Sequence, residues 1–104
     1  METAKRKRLE RKGWKIGTVQ EFLDLSSEEA AYIEVKLALS RTFLERRRER
    51  RLTQQQAARL LKSSQSRVAK MEAGDPSVSL DLLVRSLLAL GIPKRSLGRI
   101  LSSA

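Results

Sequence analysis

Between Leu52 and Gly74 the chain reads LTQQQAARLLKSSQSRVAKMEAG, and this stretch restricts the possible folds more than any other. Two hydroxyl residues, Thr53 and Ser64, each stand just ahead of residues with helical spacing, and Gly74 provides a left-handed stop. Thr53 followed by Gln56 forms a capping box, with Leu52 and Ala57 placed as its hydrophobic staple. The spacing predicts one helix over 54–62 that buries Ala58 and Leu61, and a second over 65–72 that turns Val68 and Met71 inward. Two short capped helices joined by a tight turn are the centre of whatever forms here.

The same punctuation continues on either side. Ser26 and Glu29 make a second capping box, with Leu25 and Ala30 as staple, opening a long helix over 27–50. Ile33, Leu37, Ser40 and Leu44 recur along it at helical spacing. Ser79 caps a fourth helix with Leu80, Leu83, Leu87 and Leu90 at core spacing, ended by Gly91 before Pro93. A last helix over 94–102 carries Leu97, Ile100 and Leu101, and its Gly98 costs about 1 kcal/mol relative to Ala. Strand-like alternation is confined to a possible short extended piece at Ile16–Val19. The expected fold is all-α, five helices over 26–104, preceded by an arm and lead-in over 1–25.

Composition narrows the chemistry. The 104 residues include neither Cys nor His, which removes thiolate and imidazole metal sites, disulfides, Cys or His nucleophiles and imidazole proton transfer. Glu28, Glu29 and Glu34 are no better as a metal cluster, since the first two stand where carboxylates favour a helix dipole. No enzymatic activity, cofactor or metal is expected. The longest apolar runs, Ala30–Ile33 and Leu87–Leu90, are far too short to span a bilayer, and no export signal follows the basic N-terminus. A cytoplasmic protein is expected.

The net charge of +10 points to a polyanionic partner, and its layout is uneven. Residues 1–15 carry +5, concentrated in Lys5, Arg6, Lys7 and Arg8, and read as a basic arm that follows a groove or phosphates; the same run also resembles a nuclear-import patch. Residues 16–44 carry −3, so this segment does not face a phosphate backbone. Residues 45–51, ERRRERR, carry +3 and suit either a solvated helix end or phosphate contact. Trp14 can anchor the arm or stack on a base, but the four scattered aromatics form no platform for single strands.

The helices over 54–62 and 65–72 have the spacing of a helix-turn-helix unit, in which the first helix braces on the backbone and the second enters the major groove. Gln65, Ser66 and Lys70 are the natural base readers: Gln bonds adenine N6 and N7, Lys reaches guanine O6 and N7, and Ser serves several edges. Arg67 can read a base or hold a phosphate. Gln54 can donate to a phosphate supported by the free N–H groups of its helix start.

The Leu52-Thr53-Gln54 opening, Ala58, the Ser64-Gln65-Ser66 run, Glu72, Gly74 and Ala89-Leu90-Gly91 together resemble the Xre/Cro family of phage-type repressors over residues 43–92. SQSRVAKMEAGDPSVSLDLLVRSLLALG is also similar to HigA-like antitoxins. The resemblance implies a structural ion pair between Arg47 and Glu72, and N-caps at Thr53 and Ser64. It further implies a homodimer on a palindromic DNA operator, with Leu97, Ile100 and Leu101 as candidate dimer contacts, and a cognate toxin as partner. The chain departs from the family pattern at Lys62 and Ser63, where Gly and an apolar residue are usual, and at Ala57, where Leu is usual. The expected function is a sequence-specific transcriptional repressor acting as an antitoxin. A free-standing repressor, or a protein-interaction module with incidental DNA contact, are the alternatives.

Overall fold

The computed structural model describes residues 26–103. Within them lie five helices and no strand: α1 Ser27–Glu49, α2 Gln54–Leu60, α3 Gln65–Ala73, α4 Leu80–Ala89 and α5 Lys94–Ser103. The fold is all-α. The chain divides into two compact units, 1–34 and 35–104. Of the first, the described part is the start of α1, where the Ser26 Oγ accepts from the Glu29 N–H at 3.2 Å and Glu29 Oε1 accepts from the Ser26 N–H at 3.2 Å. The arm residues Lys5, Arg6, Lys7 and Arg8, with Trp14 and Ile16–Val19, lie outside the described residues.

The second unit closes around one core. Leu39 and Phe43 of α1, Ala57 and Ala58 of α2, Val68 and Met71 of α3, Val78 of the following loop, and Leu83, Leu87 and Leu90 around α4 are all buried together. Phe43 is completely enclosed, and truncating such a side chain to Ala costs about 3–5 kcal/mol. The inward face of α1 differs from the expected one: of Ile33, Leu37, Ser40 and Leu44 only Ser40 is buried, while Leu37 is exposed. The reason is compositional. Apolar residues occur at Ile33, Val35, Leu37, Leu39, Phe43 and Leu44, all around the helix, so periodicity alone assigns no single phase. In α2 the completely buried residue is Ala57, whereas Leu61, just past the helix, is only half-buried. A methyl side chain there lets α2 lie close to its neighbours.

Each helix from α1 to α4 ends at a residue with positive φ: Arg51 at 56°, Lys62 at 55°, Gly74 at 70° and Gly91 at 90°. The stops share one hydrogen-bond pattern, with Leu52 N–H to Arg47 carbonyl at 3.1 Å, Ser63 N–H to Ala58 carbonyl at 2.8 Å and Ile92 N–H to Leu87 carbonyl at 3.0 Å. Glycine adopts this conformation freely; at Arg51 and Lys62 a Cβ makes it costly, by about 1 kcal/mol. Lys62 is the position where the resembled family carries Gly.

In α5 no residue is buried; Leu97 and Ile100 pack partly against the core of their own chain, and Leu101 stays exposed. Of the three candidate dimer contacts, Leu97 and Ile100 are thus partly buried within their own chain. No helix among the described residues is long and apolar enough to cross a membrane.

Candidate nucleic-acid interface

The local sequence builds the α2–α3 pair from its caps. Thr53 Oγ1 accepts from the Gln56 N–H at 3.0 Å while Gln56 Oε1 accepts from the Thr53 N–H at 2.8 Å, so the box is complete. Ser64 Oγ accepts from the Arg67 N–H at 3.1 Å at the start of α3. Each such cap contributes about 1 kcal/mol. Val68 and Met71 then fix the inner side of α3, leaving Gln65, Ser66, Arg67 and Lys70 exposed on the other.

Ser64, Ser66, Arg67 and Lys70 line a cleft of about 260 Å³, closed on its far side by Ser77, Val78 and Leu82. Its lining joins two cations with three hydroxyls and includes no acid. The neighbouring Asp75 is turned to its own loop, where Oδ1 accepts from the Ser77 N–H at 2.8 Å and the Ser77 hydroxyl at 2.6 Å. Those two hydrogen bonds, aided by the positive charges of Lys70 and Lys36, hold the Asp75 carboxyl below its ordinary range.

Gln54 and Gln65 belong to a different set of contacts. Arg47, late in α1, is joined to Glu72, near the end of α3, by its Nε and by Nη2, which donates to Oε1 at 3.0 Å; both side chains are largely buried. Its Nη1 donates to the Leu52 carbonyl at 2.8 Å. This one guanidinium ties the end of α1, the α1–α2 link and α3 together, and the hydrogen bonding it donates to the Glu72 carboxylate is the main reason its pKa stands above the ordinary value. Glu72 Oε1 also accepts from Gln54 Nε2 at 3.0 Å, and Gln54 Oε1 accepts from Gln65 Nε2 at 3.3 Å. The structure thus brings four of the singled-out residues, Arg47, Glu72, Gln54 and Gln65, into one chain. The phosphate donor expected at Gln54 already makes two contacts inside the protein.

Two cations of the ERRRERR run, Arg46 and Arg50, are engaged inside the protein. Arg46 Nε donates to the Leu90 carbonyl at 2.8 Å and its Nη2 to the Gly91 carbonyl at 3.4 Å, while Arg50 Nη1 reaches the Leu90 carbonyl at 3.4 Å. They satisfy carbonyls that the end of α4 leaves without helical partners. Gly91 marked that helix end in the sequence, but nothing local indicated that its partners come from α1. Among the described residues no group of Asp or Glu is placed to hold a metal ion.

A family model described as a helix-turn-helix domain matches residues 21–93. No curated protein and no solved structure matches the chain.

Proposed function

The chain belongs to this family of DNA-binding helix-turn-helix domains, and from that premise we propose that it is a sequence-specific double-stranded DNA binder that represses transcription by occupying an operator. One observation carries the reading. The inner side of α3 is fixed by the core and by the Arg47–Glu72 pair, while Gln65, Ser66, Arg67 and Lys70 project from the outer side with no acid among them. In this reading α3 lies in the major groove, Gln65, Ser66 and Lys70 read base edges, and Arg67 holds a base or a phosphate. The remaining N–H of the Gln54 amide supports a phosphate. The basic run Lys5–Arg8 adds salt-dependent, sequence-blind attraction.

The regulatory setting we propose is an antitoxin that represses its own operon and neutralises a toxin in the cytoplasm, bound as a homodimer to a palindromic site. The support is the likeness of residues 64–91 to HigA-like antitoxins. Leu97, Ile100 and Leu101 of α5 are the candidate dimer contacts, Leu101 being the most exposed of them. Footprinting on the protein's own promoter, beside affinity purification with mass spectrometry, tests both parts. A protected palindrome and a small co-purifying protein are expected. Protection without a partner would leave a free-standing repressor, and affinity that ignores sequence would favour a protein-interaction module.

A further inference from the structure

We propose that the second unit holds a binding site for a small carboxylate with an apolar body, in the cleft between the end of α2, the turn that follows it and α4. The cleft has a volume of about 300 Å³, at the lower end of ligand pockets. Leu60, Leu61, Met71, Leu82 and Ala89 make most of its lining apolar, with Met71 buried and Leu60 and Ala89 exposed. Met71 belongs to the inner side of α3, and Leu82 also lines the cleft beside Arg67 and Lys70. An occupant therefore touches the support of α3 without covering its outer side.

Three polar side chains in the same lining select the ligand. Ser86 is only 4% exposed, and its hydroxyl has no hydrogen-bond partner among the described residues. Hydroxyls on a helix commonly turn back to the carbonyl four residues earlier. Thr42 does so to Ala38, Ser102 to Gly98 and Ser103 to Arg99, each at 2.9 Å. Ser86 makes no such bond to Leu82, although burial makes an unmet hydroxyl costly there. Lys62 and Arg85 supply positive charge, and the lining includes no acid. Lys62 has no ion-pair partner among the described residues. Arg85 gives its Nε to Asp81 Oδ1 at 3.2 Å in an exposed pair, which leaves its other nitrogens able to donate. A carboxylate can accept from the Ser86 hydroxyl and from these cations while its body covers the leucines. A neutral apolar ligand leaves the charges unused, a cationic one is repelled, and inorganic phosphate leaves the apolar lining bare.

Titration of the isotope-labelled full chain with octanoate, followed through its backbone amide NMR signals, tests this without DNA. Octanoate should shift the amides of Leu61, Lys62, Ser86 and Ala89 saturably; octanol and octylamine should bind about 10-fold more weakly or less, and acetate should not saturate. Lys62→Gln should weaken octanoate about 10-fold and leave octanol unchanged. Ser86→Ala removes only an unpartnered hydroxyl, is expected to fold, and should also weaken octanoate. Ala89→Phe, at an exposed position, fills the cleft and should abolish saturation while melting with wild type. Absence of saturation by octanoate overturns the proposal, as does equal binding of octanoate and octylamine. Octanoate binding that survives Ala89→Phe unchanged overturns it too. Shifts of the same amides that grow with protein concentration and not with octanoate give the cleft to a second copy of the chain, and also overturn it.

Discussion

The end of α1 and the outer side of α3 are both rich in cations, yet the two regions use them in opposite ways. At the end of α1 and just past it, Arg46 and Arg50 bind the carbonyl that follows α4, at Leu90, and Arg47 binds Glu72 and the Leu52 carbonyl. In α3, Arg67 and Lys70 stand exposed beside a cleft of hydroxyls. Seen only as charge, ERRRERR looks like the stronger candidate for phosphate. The difference teaches that a cation's task follows from the acceptors its backbone position brings within reach. Orphan carbonyls at a helix end and a buried carboxylate claim arginines before DNA can.

The contrast can be broken or sharpened by substitution. The largest effect is expected for Arg47→Ala, which leaves the Glu72 carboxylate buried and unpaired; a loss of about 3–5 kcal/mol in denaturant unfolding would take most of the stability of so small a domain. Lys70→Ala should leave stability within about 0.5 kcal/mol while costing about 1–3 kcal/mol of binding, confined to sequences carrying one particular base pair. Arg46→Ala should cost about 1–2 kcal/mol of stability through the freed carbonyls of Leu90 and Gly91, without altering which sequences are preferred. Lys62→Gly should raise the unfolding free energy by up to about 1 kcal/mol, because the +55° φ no longer opposes a Cβ.

The smallest effect concerns pH. The Asp75 carboxyl lies below its ordinary value of 3.8 because the Ser77 hydroxyl and amide favour the charged form. A group with a depressed folded-state pKa contributes stability above its unfolded value and loses it as pH falls through the folded one. Wild type and Asp75→Asn should therefore differ slightly in unfolding midpoint at pH 6 and converge as the pH falls through the lowered folded-state value.

Much of this fold was legible because capping is local. Thr53, Ser64 and Ser79 stand at the starts of α2, α3 and α4, and Gly74 and Gly91 stand at helix ends, each within a few residues of the groups they satisfy. The phase of α1 was not legible, since apolar residues on every side leave the choice to the neighbouring helices, which favour Leu39 and Phe43 over Leu37. Nor was the reach of Arg46 across 44 residues to Leu90, because no pattern along the chain links a cation to carbonyls that only packing brings near. Gln54 shows the same limit at the site. Its place at a helix start suggests a donor to phosphate, whereas Glu72 and Gln65, near it only in three dimensions, engage both ends of its amide.

The division between bracing and reading cations is tested most directly by measuring, on the same samples, thermal unfolding and competition between operator and random duplex for Lys70→Ala and Arg46→Ala. Lys70→Ala should melt with wild type and lose discrimination, while Arg46→Ala should melt earlier and keep it. Equal losses on operator and random DNA for Lys70→Ala, or lost discrimination for Arg46→Ala at a temperature where it is fully folded, would contradict the account.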